Sequence, residues 1–213
     1  MELFSPFLNE FLAVLTITVL AVLSPGADFV VVVKNSLSGS RQSGIFTAIG
    51  ISSAIWIHTF YTLAGIGLII SQSILIFTFI KIIGTLYLIY LGISCIRNKD
   101  KLKTINADEV GLSNWKSFQS GFITNLFNPK ASMFYLSVFT QVVSTETPIF
   151  IQTIYGLTIS LSCLIWFSIV AIFLNNEKIK SQFLKAQKPI EIALGIILIG
   201  FGLQVGLVEL FKK

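Results

Sequence analysis

The sequence contains few of the residues that build soluble catalytic domains or metal centres. Only 12% of its 213 residues are charged, and it has two cysteines and one histidine. Cys95 and Cys163 are too few for a disulfide scaffold or for a metal site made of thiolates. His58 adds a single further ligand, so the sequence predicts no cofactor and no metal. An intramembrane hydrolase is also excluded, because no nucleophile is spaced near a base.

Long apolar runs make up most of the chain. Hydrophobic residues account for 54% of the sequence, and they are continuous instead of alternating with the period of a strand or a surface helix. A bilayer-spanning helix needs roughly 20 such residues. The sequence therefore predicts an all-α, multi-pass membrane protein with six transmembrane helices, at residues 8–33, 43–70, 74–97, 118–143, 149–174 and 189–210.

Basic residues are distributed unevenly among the segments between these runs. The net charge is +5. Because cytoplasmic segments of membrane proteins are rich in Lys and Arg, this uneven distribution predicts an orientation in the bilayer, and we expect no nucleic-acid partner. The segments after spans one, three and five should be cytoplasmic, which puts both termini outside. Eleven basic residues lie on that side: Lys34, Arg41, Arg97, Lys99, Lys101, Lys103, Lys116, Lys178, Lys180, Lys185 and Lys188.

Proline and polar residues interrupt two of the six runs at matching positions. The first run contains Ser24-Pro25-Gly26-Ala27-Asp28, and the fourth contains Asn125-Leu126-Phe127-Asn128-Pro129-Lys130. Proline removes a backbone donor, and a charge at membrane depth is costly unless it faces protein or a water-filled cavity. The two halves are residues 1–97 and 118–213, and a cytoplasmic linker at 98–117 joins them. Because each half has three spans, the two halves cross the membrane in opposite directions. Interrupted helices in such inverted repeats indicate a transporter's binding site.

The predicted site combines charges with the ends of half-helices. Ser24 and Asn128 are suitable N-caps, so each interruption should begin a new half-helix whose positive end can hold a carboxylate. Asp28 could pair with a substrate ammonium, carry the coupling proton or form an ion pair with Lys130. Lys130 could neutralise Asp28 or hold a substrate carboxylate. The other predicted site residues are Pro25, Gly26, Asn125 and Pro129.

Weaker candidates lie outside the interruptions. His58 could carry a proton, but a single buried histidine also fits a hydrogen-bonded core position. Lys81 and Glu191 lie near enough to span ends for their charged groups to reach the interface. The sequence leaves open which large side chains line the cavity and set selectivity, among Trp56, Tyr61, Phe134, Tyr135 and Trp166.

Several of these motifs together resemble those of the lysine-exporter/homoserine-exporter (LysE/RhtB) family. The similarity covers Pro25-Gly26-Ala27-Asp28 with Lys34 to Arg41, then Lys81 to Gly84 with Tyr87 to Gly92, and then Gly121 to Lys130. Ala27 departs from the pattern, because the family usually has a second proline there. The resemblance implies a non-enzymatic exporter of amino acids or small derivatives, located in the bacterial inner membrane and driven by protons.

Two other functions remain open at this stage. A related branch of transporters moves electrons between thiols, but neither Cys95 nor Cys163 lies beside an interruption in the sequence. Export of a metal or another small solute is a further alternative, although one histidine and two separated cysteines provide a poor ligand set. Gly202-x-x-x-Gly206 fits either packing within the chain or a homodimer.

The orientation is testable with reporter fusions. A reporter placed between Asn98 and Asn114 should give a cytoplasmic signal, and one placed after Lys213 should give an external signal, because the basic segments stay inside. An external signal from the central segment would reverse the orientation.

Overall fold

The computed structural model describes residues 7–24, 26–72, 74–97, 112–173, 182, 186, 188–200 and 202–203. This part of the chain contains helices and turns and no strand, which confirms the all-α prediction. Residues 188–200 are helical. The helices before them are α1 (Leu8–Leu23), α2 (Ala27–Ser38), α3 (Arg41–Gln72), α4 (Ile74–Arg97), α5 (Asn114–Leu126), α6 (Pro129–Gln141) and α7 (Ile149–Phe173).

Three of these helices are long and apolar enough to cross a membrane. They are α3 over Arg41–Gly65, α4 over Thr78–Arg97, and α7. A fourth span results if α1 and α2, which are bent by 54° relative to each other, count as one. Polar residues make the α5–α6 stretch less apolar, and most of residues 201–213 lie outside the described part. The protein is therefore a helical membrane protein with several spans, and the number six remains a prediction.

The chain leaves helical geometry at both predicted interruptions. Helix α1 ends at Leu23, and Gly26 is extended before α2 begins. Pro25 itself lies outside the described residues. The prediction that Ser24 caps α2 is wrong, because α2 begins only at Ala27 and Gly26 holds the cap position; Ser24 instead ends α1. Asn128 is the N-cap of α6, as predicted, and accepts a hydrogen bond from the Lys130 amide at 3.0 Å.

The main hydrophobic core surrounds these two interruptions. It joins buried side chains of α1, α2, α3, α6 and α7, including Val14, Val32, Ile51, Val138 and Ile159. Glu10 ties the outer part of α1 to this bundle. Its carboxylate accepts hydrogen bonds from the Thr147 hydroxyl at 2.8 Å, the Ser144 amide at 3.1 Å and the Tyr155 hydroxyl at 3.2 Å. These contacts hold α1 against α7 and the loop before it.

Two pairs of helices contact each other reciprocally. Ser52 of α3 donates to the Ser160 carbonyl of α7 at 3.0 Å, and Ser160 donates to the Ser52 carbonyl at the same distance. Gly92 of α4 and Gly195 lie so close that a Cβ on either would overlap the carbonyl oxygen of the other. In the serine pair each hydroxyl contacts the partner's carbonyl oxygen, and in the glycine pair each Cα side faces the partner's carbonyl oxygen.

Glycine also allows the backbones of α3 and α5 to touch. A Cβ at Gly50 would collide with the Phe118 carbonyl oxygen, and one at Gly121 would collide with the Thr47 carbonyl oxygen. Backbone atoms cannot rotate away as a flexible side chain can. Small residues at such crossings are typical of membrane helices.

Replacing Gly50 with alanine should therefore destabilise the protein. Overpacking costs about 1–3 kcal/mol, which outweighs the roughly 1 kcal/mol by which alanine favours a helix over glycine. Gly65→Ala is the matched control, because it lies on the same helix with nothing within 4 Å of its added Cβ. Thermal unfolding in detergent should show a lower Tm for Gly50→Ala than for Gly65→Ala. Equal Tm values for the two variants would contradict the close crossing.

Candidate functional site

A cavity of about 60 Å³ lies where the two interruptions meet. Six of the predicted site residues line it: Ser24, Gly26, Asp28, Asn125, Asn128 and Lys130. The remaining lining residues are mostly apolar: Ala21, Val22, Phe29, Ile55, Ala131, Phe134, Tyr135, Ile159, Cys163 and Phe167. The cavity therefore has a polar end made by the interruptions and an apolar wall made by α2, α3, α6 and α7.

Asp28 is held by the interruption in the other half of the chain. Its Oδ2 accepts hydrogen bonds from Nδ2 of Asn125 at 3.0 Å and Nδ2 of Asn128 at 3.1 Å. A carboxylate can only accept, so both amides present their nitrogen to it. This leaves Oδ1 of Asp28 and Oδ1 of Asn125 buried without a hydrogen-bond partner. Two residues that line the cavity thus have buried acceptor atoms that lack donors.

Lys130, in the second interruption, contacts the backbone at the first interruption. Its Nζ donates to the Ser24 carbonyl at 2.8 Å and to the Ala21 carbonyl at 3.3 Å. The last carbonyls of a helix have no partner inside it, and a cation is favourable there. Lys130 therefore caps the end of α1. Among the contacts of the described residues there is no direct ion pair between Lys130 and Asp28.

The residues beside these charges have structural contacts of their own. Ser24 Oγ lies 3.0 Å from Cys95 Sγ of α4. Gly26 gives Lys130 room, since a Cβ there would lie 3.3 Å from the lysine Cδ. Pro129 is exposed at the first position of α6. Its missing N–H would have no partner at that position.

His58 lies beside the cavity and does not line it. Its side chain is fully buried and stacked against Tyr135, with ring centroids 5.6 Å apart. Nε2 lies 3.1 Å from the Asn125 carbonyl, and Nδ1 lies 2.7 Å from the Tyr61 hydroxyl. Because a carbonyl only accepts, Nε2 is the donor in the first contact. In a neutral ring, Nδ1 then accepts from Tyr61. His58 thus satisfies the end of α5, as a hydrogen-bonded core residue would.

Other sequence-based expectations have mixed outcomes. The Lys81 side chain lies outside the described residues, as does Gly206 of the proposed packing motif. Glu191 is buried, so its expected position at the interface is wrong. Of the five large side chains considered for selectivity, only Phe134 and Tyr135 line the cavity.

The two cysteines are closer to the interruptions than the sequence indicates. Cys95 contacts Ser24 at the first interruption, and Cys163 lines the cavity. The expectation that neither lies beside an interruption is therefore wrong, because helix packing brings α4 and α7 to the same place. Both are free thiols. Within the described ranges, no three His, Cys, Asp or Glu side chains are grouped so that they could hold a metal ion.

Cys163 is also the central member of a group that the sequence reasoning missed. Ile159, Cys163 and Phe167 all line the cavity. Their spacing of four residues places them on one face of α7. That spacing was visible in the sequence, but nearly every position of α7 is apolar or small. Periodicity therefore could not separate this face from the lipid-facing one.

Known proteins similar to this chain are transporters and membrane proteins. The threonine efflux protein of Escherichia coli (strain K12) is 29% identical over 198 residues, which is 92% of this chain and 96% of the relative. The uncharacterized membrane protein YrhP of Bacillus subtilis (strain 168) is 29% identical over 209 residues, which is 94% of this chain and 100% of the relative.

No solved structure matches the chain significantly. The LysE type translocator family matches residues 19–208, which is most of the chain and includes both interruptions. Translocators of this kind move solutes and are not enzymes. The chain therefore belongs to the LysE type translocator family.

Proposed function

We propose that this translocator exports zwitterionic amino acids or their small derivatives across the bacterial inner membrane in exchange for protons. The observation that carries the proposal is the pair of buried, unpaired acceptors, Asp28 Oδ1 and Asn125 Oδ1, on two residues that line the cavity. An unpaired buried acceptor costs about 1–3 kcal/mol. A substrate ammonium offers several N–H donors and would satisfy both atoms.

The start of α2 is the better position for the substrate carboxylate. Gly26 holds the N-cap position there and supplies no side chain to the first turn. Asn128 does cap α6, by accepting from the Lys130 amide. Helix N-termini attract anions through their free N–H groups and their dipole. The sequence predicts that either half-helix could hold the substrate carboxylate. We favour α2, because no side chain caps its N-terminus, whereas Asn128 caps that of α6.

Asp28 accounts for coupling to protons by competition. Oδ2 is already held by two amides, so Oδ1 is the atom that remains for either a proton or an ammonium. A carboxylate that accepts one or the other, and not both, exchanges them across the membrane when the site faces each side in turn. This mechanism is proton antiport.

We propose that residues 1–97 and 118–213 form two inverted repeats. Their relative movement would expose the same site first to one side of the membrane and then to the other. Reciprocal contacts support this arrangement. The Ser52–Ser160 pair joins the predicted second and fifth spans, and the Gly92–Gly195 pair joins the third and sixth. Equivalent helices of two halves related by a pseudo-two-fold axis contact each other in this way where they meet the axis. Transporters with such repeats alternate access by moving one repeat against the other.

Asp28→Asn tests the site, because asparagine keeps the size and the acceptor for the two amides. We expect normal abundance in the membrane, loss of proton-driven efflux, and a reduction of more than about tenfold in substrate exchange, since a lost charge-assisted hydrogen bond costs roughly 1.5–3 kcal/mol. Abundance, efflux and exchange are measured together in vesicles. Glu146→Gln is the matched control, because Glu146 is exposed on the loop before α7.

The outcomes separate the roles of Asp28. Exchange that persists without efflux would limit Asp28 to the coupling proton. Wild-type efflux with a proton gradient would overturn the proposed site, because the remaining role of Asp28, accepting hydrogen bonds from the Asn125 and Asn128 amides, is kept by the side-chain oxygen of asparagine.

Lys130→Met tests whether Lys130 caps α1 or pairs with Asp28. Loss of the ammonium leaves the Ala21 and Ser24 carbonyls without their donor, at a cost of about 1–3 kcal/mol. We expect a lower Tm in detergent than for the exposed control Lys116→Met. Adding Asp28→Asn should not restore it, because the structure has no direct ion pair to unbalance. Recovery in the double variant would show that the two charges pair.

A further inference from the structure

The apolar wall of the cavity has a distinct shape on α7. Ile159, Cys163 and Phe167 follow one another at intervals of one helical turn, and all three are buried. Cysteine is much smaller than isoleucine or phenylalanine. The smallest side chain of this face therefore lies between two bulky ones, and we refer to the position of Cys163 as the recess.

This recess lines the same cavity as the two residues with unpaired polar atoms. Asn125 is only 2% exposed, and it and Asp28 both line the cavity and both have a buried, unpaired Oδ1. Buried polar atoms without a partner call for an explanation such as an absent ligand. A molecule that satisfied these atoms at one end would place its remaining part against the apolar wall.

From this geometry we infer that the recess at Cys163 receives the substrate side chain, and that Cys163 restricts transport to small, uncharged side chains. The inference rests on the proposed amino-acid export and adds the substrate class and the residue that sets it. Size is limited because the bulky side chains of Ile159 and Phe167 lie on either side of Cys163 in the cavity lining. One methylene too many in an apolar pocket changes discrimination by roughly 10–200-fold.

Charge is limited because the wall offers a cationic side chain no partner. Asp28 is the only carboxylate among the described residues that line the cavity, and its unpaired oxygen is assigned to the substrate ammonium. Lys130 would repel a second cation. A charged group placed against apolar atoms without a partner is strongly disfavoured. Lysine and arginine should therefore be poor substrates.

Two substitutions of opposite size test the inference. Purified protein in proteoliposomes is assayed for transport of radiolabelled alanine, threonine, leucine and lysine. Cys163→Ala enlarges the recess, and the ratio of leucine to threonine transport should rise about tenfold. Cys163→Leu fills the recess, and threonine transport should fall at least as much relative to alanine. Leu161→Ala is the matched control on the exposed side of α7 and should leave the ratios unchanged.

The ratios distinguish this inference from the proposed function. If the wild-type protein transports none of the four amino acids, the proposed export fails and the inference fails with it. If transport occurs but both Cys163 variants, at normal abundance, keep the wild-type ratios, only the inference is overturned. Efficient lysine transport by the wild-type protein would also overturn it.

Thiol labelling gives a second readout that does not depend on selectivity. Cys95→Ser leaves Cys163 as the single cysteine and keeps a hydroxyl that can hydrogen-bond Ser24. Methyl methanethiosulfonate should label Cys163 and block transport, and saturating threonine should slow the labelling. A labelling rate that threonine does not change would place Cys163 away from the substrate and overturn the inference.

Discussion

The arrangement of this protein depends on satisfying two helix ends that lie inside the membrane-spanning bundle. Backbone groups at such ends have no water to bind, so protein groups must replace it. Here each interruption supplies partners for the other. Lys130 donates to the carbonyls that end α1, and Asp28 accepts from the side-chain amides of Asn125 and Asn128. The Asn125 carbonyl, near the end of α5, is met by His58. These hydrogen bonds connect the two halves of the chain, and the cavity lies between the two interruptions.

The same contacts leave the charges available for the proposed role in transport. Asp28 and Lys130 are positioned by different partners and not by each other, so neither charge is neutralised by a tight direct pair. One carboxylate oxygen is fixed by two amides, and the other has no partner. A fully satisfied carboxylate would stabilise the fold and bind nothing. The unpaired oxygen is a cost in stability that a proton or an ammonium can remove.

Close helix packing brings the rest of the site to this point. The crossing of α3 and α5 at Gly50 and Gly121 places His58 against the end of α5, where it satisfies the Asn125 carbonyl. Helix α7 presents the face that contains Cys163 to the cavity. Glu10 secures the far end of α1 to α7. Residues from both halves are thus needed to build one small cavity.

The sequence by itself determined the helical membrane class and, to within a few residues, most helix limits, because the length of an apolar run acts locally along the chain. Helix α4, for example, lies at the predicted residues 74–97. Only the tertiary structure decided that Ser24 ends α1, that Lys130 caps it, that Cys95 and Cys163 reach the interruptions, and that Glu191 is buried. These outcomes depend on which helices are neighbours and on how each helix is rotated about its own axis. A helix that is apolar on nearly all sides has no periodic pattern from which its neighbours or its rotation could be predicted.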